Sequence, residues 1–227
     1  MKRTDFYFII VLLAIFLPFF LSTPLYEAYK AFNADHGMFM SFLKFGILST
    51  LGEMLGARIS RGEYLPKGFG MVPKMLVWGV LGMFINGAMT VFSSGIPTLM
   101  QNLGMPDTLA TFQGPLSWGK FAIALSISVA MNTFFAPVFM TFHKITDMHI
   151  HNHGGRLSAL VTPIPMGKLM AELDWKKQWG FVFKKTIPLF WYPAHTITFL
   201  LPGELRVLFA ALLGIVLGVL LAVAAKK

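Results

Sequence analysis

Cysteine is missing altogether, and Asp and Glu together number only 10 in 227 residues. The first absence excludes disulfides, thiolate metal ligands, iron–sulfur clusters and cysteine nucleophiles in one step. The second, with 19 Lys and Arg, leaves 13% charged residues, against roughly 25% in soluble chains. That deficit excludes an ordinary soluble domain. In its place stand 56% hydrophobic residues, including 23 Phe, and a mean hydropathy of +0.66. The class is an all-α polytopic membrane protein, with the lipid bilayer as its first partner. The formal charge of +9 falls in short stretches between long apolar runs, where the positive-inside rule places it. No basic patch interleaves with aromatics over a soluble domain, so nucleic acid is excluded as a partner.

Six apolar runs predict a transmembrane helical bundle: 6–22, 38–57, 74–93, 121–142, 181–201 and 207–225, in a single domain over 1–227. Each is close to the ~20 residues that cross hydrocarbon. The first, FYFIIVLLAIFLPFFL, is followed by no small-x-small cleavage site and reads as a retained helix rather than a signal peptide. Charge alternates across the joins. Lys2 and Arg3 precede the first helix; Arg58, Arg61, Lys67 and Lys74 oppose Glu63 alone in the second join. Lys144, Arg156, Lys168, Lys176 and Lys177 mark the long join after the fourth helix, and Lys226 and Lys227 follow the sixth. The intervening joins are nearly neutral. The alternation predicts both termini cytoplasmic. A bacterial inner membrane is the expected location, with an organelle membrane as the alternative.

Inside such runs the polar residues carry the information. Ser49, Gly52, Glu53 and Gly56 fall at i, i+3, i+4 and i+7, and Gly79, Gly82, Asn86 and Thr90 make a similar face. The next runs offer Ser128 and Asn132, then Trp191, His195 and Thr198. At ~1.5 Å rise, Asn86, Asn132 and His195 lie roughly 15 to 21 Å from the cytoplasmic helix ends, and Glu53 about 6 Å. The expectation is a polar lumen lined by Glu53, Asn86, Asn132, Trp191, His195 and Thr198, with Glu53 at the cytoplasmic mouth beside Arg58 or Arg61. The competing reading assigns these side chains to hydrogen bonds between helices. Gly52-x-x-x-Gly56 and Gly214-x-x-x-Gly218 predict close helix contact, with a homo-oligomer through the glycine faces as one outcome. Pro188 and Pro193 predict a kink, freeing carbonyls near Lys184 and Leu189.

The loudest motif is DMHIHNHGG, which puts His149, His151 and His153 on alternate positions with His143 upstream. These are metal-ligand candidates. An extended segment aligns all three, a helix only His149 and His153. The topology assigns them to a cytoplasmic loop over 143–180. A closed zinc site wants four ligands, and Asp147 is the only acid nearby, so a solvated loop is expected. No cofactor is expected either, since His195 alone lies securely inside the membrane and a bis-histidine haem needs two.

The stretch FWYPAHTITFLLPGELR is similar to the C-terminal signature of the Mpv-seventeen and twenty-two-kilodalton peroxisomal membrane protein family, with Trp191, Phe199, Pro202 and Arg206 matching. Pro193 falls one place late, His195 stands where glutamine is usual, Thr198 where asparagine is usual, and one residue is missing before Pro202. ILSTLGEMLGA resembles the family's opening helix through Gly52 and Glu53, and MFINGAM its next helix, with Ala88 replacing a proline. MNTFFAPVF resembles the helix ending in Phe-Ala-Pro, with Met131 and Asn132 in place of an acid and a glutamine. The resemblance implies a small multi-pass protein acting as a weakly selective channel, hence passive permeation without catalysis. Positions chosen for polarity and positions matched by motif coincide at Glu53, Asn132, His195 and Thr198. The expected function is a channel or facilitator for small solutes or ions, not an enzyme. The alternatives are a membrane scaffold and, behind it, a membrane-bound enzyme or redox subunit.

Overall fold

The computed structural model describes residues 2–224, with side chains to residue 219. Helix follows helix, and no strand occurs among the described residues. Ala225, the end of the sixth expected helix, lies outside them, as do Lys226 and Lys227. The chain, read from sequence as one domain, divides by contacts into two compact units, Met1–Met40 and Ser41–Lys227.

In the first unit α1 (Arg3–Leu21) and α2 (Thr23–Asp35) meet at Ser22. The Asp5 carboxylate accepts the Lys2 backbone N–H at 2.7 Å and closes the start of α1. Ser22 accepts the Leu25 N–H at 3.3 Å, and Pro24 stands in the first turn of α2. The rings of Phe19 and Tyr29, 5.1 Å apart, hold the two helices together. Only 6% of the apolar window of α1 is buried. Its Phe6, Ile10, Leu13 and Phe20 are exposed, as on a helix apolar enough to cross a membrane. The nearly neutral join after the first run is largely taken up by α2.

α3 (Gly37–Arg61) begins in the first unit and runs through the second, followed by α4 (Met71–Asn102) and the short α5 (Thr108–Gln113). Then come α6 (Trp118–Phe134) and α7 (Ala136–Asn152). Among the described residues α1, α3 and α4 are long and apolar enough to cross a membrane, and α6 with α7 forms a fourth candidate, bent by 46°. Pro137 accounts for the bend. It has no N–H to give the preceding turn and sits in the first turn of α7, where none is needed. The single helix expected at 121–142 is thus two.

The expected loop at 143–180 is also corrected. α7 carries on to Asn152, a 3-10 turn covers Leu157–Leu160, and α8 (Met166–Glu172) and α9 (Trp175–Lys177) follow. Ile145, Leu169 and Leu173 are buried together, with Met148 and Ile164 against them, so apolar burial folds this segment onto α7. Where a helix kinked at Pro188 and Pro193 was expected over 181–201, Gln178–Trp191 is wound as a π-helix and passes into α10 (Tyr192–Leu200). α11 (Gly203–Ala224) closes the unit.

α6 is the central element. It packs on α4 and α10 and buries Ala124, Ile127, Ser128, Met131 and Asn132. Glycines set the spacing elsewhere. A Cβ at Gly52 would lie 2.9 Å from the Ile215 Cα, and one at Gly218 would lie 3.2 Å from the Gly52 carbonyl oxygen. The motifs Gly52-x-x-x-Gly56 and Gly214-x-x-x-Gly218 therefore meet each other within one chain, α3 against α11. Gly79 and Gly82 receive the side chains of Phe42 and Phe45, which a Cβ would approach to 2.5 Å. Gly52→Val sets a side chain against backbone that cannot give way and should destabilise by about 1–3 kcal/mol. Gly87→Ala, where nothing lies within 4 Å, should leave stability unchanged or raised. Thermal unfolding in detergent micelles checks both.

Candidate functional site

A cavity of about 410 Å³ lies among α3, α4, α6, α7, the π-helical segment, α10 and α11. Its walls are mainly apolar, from Phe45, Ile85, Met131, Phe135, Phe139 and Met140. Polar side chains concentrate at two levels.

The outer level is built on Glu53. Its Oε2 accepts from the Lys74 ammonium at 2.5 Å, and its Oε1 accepts from Trp78 Nε1 at 2.8 Å and His143 Nε2 at 3.1 Å. Lys74 also pairs with Asp147. Lys74 and Trp78 stand four apart on α4 and so share a face, while His143 and Asp147 do the same on α7. The Trp78 and His143 rings meet at a tilt of 41°, with centroids 4.3 Å apart. Lys74, a residue only 8% exposed, thus serves two carboxylates from different helices with one ammonium. Lys144, Asp174 and Lys177 line the cavity at the same end.

The inner level joins Asn132 on α6 to His195 on α10. The Ser128 carbonyl only accepts, so Asn132 presents its NH2 group to it at 2.8 Å, and that group also meets His195 Nδ1 at 3.0 Å. The His195 ring lies 5.0 Å from Trp191. Ser128 in turn donates its hydroxyl to the Tyr192 carbonyl at 2.8 Å, which ties α6 to the junction between the π-helical segment and α10. Carbonyls were expected to be freed at Lys184 and Leu189. The ones that take a donor from α6 are those of Tyr192 and, at 3.5 Å, Trp191, while further along Arg206 of α11 donates to the Phe199 and Leu201 carbonyls.

The π-helical winding explains the lining of this wall. Gln178, Val182, Thr186, Trp191 and His195 all face the cavity, at steps of four and five residues. The wider i→i−5 turn keeps such a series on one side. Pro188 lies within the segment and Pro193 in the first turn of α10, so both prolines sit where the winding changes.

Comparison with known proteins finds no matching family model, no similar curated protein and no similar solved structure.

Of the six residues predicted to share a lumen, Glu53, Asn132, Trp191 and His195 line this cavity. Asn86 does not; its side chain donates to Ser41 Oγ at 2.8 Å and joins α4 to α3. Thr198 is fully buried and donates to the Ala194 carbonyl of its own helix. Glu53 pairs with Lys74 rather than with Arg58 or Arg61. Lys74, counted by sequence as a loop cation, belongs to α4 and is the residue that reading missed. Its signal was an acid on α3 that needed a cation at its own depth.

The histidines separate. His149 and His153 share a face of α7, with ring centroids 4.3 Å apart, as a continuing helix requires. His149 Nε2 donates to the Ala159 carbonyl and His153 Nδ1 to the His149 carbonyl, so both secure the helix end. His151 is exposed. His143 belongs instead to the Glu53 group, where one ligand atom each of Glu53, His143 and Asp147 lies within 4.8 Å of the others. A metal ion there would have to displace Lys74 from both carboxylates.

Below the inner level the four helices continue to a second cavity of about 410 Å³, lined by Thr90 and Ser93 on α4, Lys120 on α6, Arg206 on α11, and Leu201 and Pro202 after α10. Between the two lie buried Met89, Ala124, Ile127, Thr198 and Phe199. Lys74→Met leaves two carboxylates without their cation and should destabilise by about 3 kcal/mol, the lower end for a broken buried pair because the carboxylates keep some exposure. Asp147→Asn, which leaves Lys74 with Glu53, should cost clearly less. Denaturant unfolding of the purified variants compares them.

Proposed function

We propose that the chain is an integral membrane channel or facilitator that lets small solutes or ions pass down their gradient, without catalysis. The observation that carries this reading is the order of features along three helices. The first cavity, a buried layer and the second cavity follow one another on α4 from Ile85 through Met89 to Thr90, and on α6 from Asn132 through Ile127 to Lys120. On α10 the same order runs from His195 through Phe199 to Leu201. Two chambers in line, each with polar side chains among apolar walls and separated by one layer of packed side chains, suit a pathway that is closed at that layer.

The reading includes six membrane spans with both termini cytoplasmic. It adds to the apolar helices above the π-helical segment with α10 as one span and α11 as another, and it rests on the alternation of basic and neutral joins. The proposed kinship with the Mpv-seventeen and twenty-two-kilodalton peroxisomal membrane protein family draws support from the meeting of its motif positions Glu53, Asn132, Trp191 and His195 on one cavity. Glu53 and Asp147 are held by Lys74 rather than free for acid–base work, which favours passage over chemistry.

Purified protein in liposomes should show small-solute flux that Phe199→Ala raises several-fold, with Phe199→Leu as the milder variant. His195→Ala and Asn132→Ala should change which solutes pass. Correctly inserted protein whose vesicles remain as tight as protein-free ones, with the Phe199 variants no leakier, would count against the reading.

A further inference from the structure

The inner half of the first cavity carries hydrogen-bond donors without acceptors. Ser49 is 3% exposed, lines the cavity, and its hydroxyl has no partner. The Nε1–H of Trp191 is buried on the same lining and also has none. His195 adds a third donor: its Nδ1 faces the Asn132 NH2 group and must accept, so the neutral ring carries its proton on Nε2. Buried donors without acceptors are rare in native proteins, and each calls for an explanation. Among the described residues the buried groups of this kind are the Ser49 and Thr50 hydroxyls and Trp191 Nε1; Thr50 lies off the cavity, while Ser49 on α3 and Trp191 on the π-helical segment both line it.

None of the three carries a charge in this form. The charged lining residues Glu53, Lys144, Asp147, Asp174 and Lys177 lie from the Glu53 level outward. An anion at the inner level would therefore be buried without a cation, which is costly. An uncharged oxygen meets no such penalty. The surrounding wall is apolar and partly aromatic, with Phe45, Ile85, Met131 and Phe135. A few polar groups converging in a mainly apolar cavity of this size are the usual features of a small-molecule site.

We propose that the inner half of this cavity binds an uncharged, mainly apolar molecule that presents a carbonyl oxygen to the donors of Trp191, Ser49 and His195. The apolar body lies between the aromatic walls, toward the charged mouth. This names the solute class for the passage reading and rests on that reading for its role in transport, while binding stands by itself.

The test uses the full chain in lipid nanodiscs, with empty nanodiscs as the control for partition into lipid. Equilibrium dialysis compares tritiated benzophenone with tritiated diphenylmethane, the same body without the carbonyl. The ketone should bind more tightly than the hydrocarbon. Trp191→Phe, which keeps a ring and removes the N–H, should weaken ketone binding about 3- to 10-fold, the factor for one neutral hydrogen bond, and leave the hydrocarbon unchanged. Ser49→Ala, a smaller change, should act in the same direction. Equal binding of the two probes to the native chain, or equal loss of both in Trp191→Phe and Ser49→Ala, overturns the proposal. Binding without liposome flux removes the passage reading alone; flux without the ketone preference removes the carbonyl site alone.

Discussion

One ammonium group organises the charged end of this molecule. Lys74 enters from α4 and meets a carboxylate from α3 and another from α7, so three helices are held at one depth by a single cation. Charges taken from water are tolerated only when paired and fully hydrogen-bonded. Glu53 meets that condition through Lys74, Trp78 and His143. An ion group of this kind adds less to stability than an apolar core of equal volume, but it admits few alternative registers. It fixes where α7 lies against α3 and α4, and with that the width of the cavity mouth.

The rest of the cavity follows from how closely its walls approach. Glycines on α3, α4 and α11 let neighbouring helices and aromatic rings into direct contact, which closes the bundle on that side. On the other side the wall is widened by π-helical winding and by the break at Pro137. Ser128 and Asn132 brace this wider side, the first through backbone carbonyls at the head of α10 and the second through His195. The cavity exists because one wall is packed through glycines and the opposite wall is wound too broadly to collapse.

The apolar runs were legible in the sequence because lipid demands continuous hydrophobicity, a local property of the chain. The level shared by Asn132 and His195 was legible for the same reason, since polar groups at that depth need each other. What depended on distant pairing was not. Lys74 sits among loop cations in sequence, and its partners Glu53 and Asp147 stand 21 and 73 residues away. Asn86 has the right depth but faces Ser41, because rotation about the helix axis is set by the neighbours it packs against. The four clustered histidines were the most conspicuous pattern, yet a continuing helix turns them to different sides and gives His143 to another group. Pro137 was visible, but the break it causes appeared only once α7 was seen to continue to Asn152.

The central claim is that small molecules enter the inner cavity from the Lys74 end and stop at the layer of Ile127 and Phe199. The absence of cysteine makes this directly measurable by single-cysteine labelling in sealed membranes. Ser49→Cys, a near-isosteric change on the cavity wall, should react with a membrane-impermeant methanethiosulfonate added on the side of the Lys74 group. Ala124→Cys, in the buried layer, should not react from either side. A Ser49→Cys variant as inert as Ala124→Cys from both sides, or an Ala124→Cys variant that labels as readily as Ser49→Cys, would contradict the account.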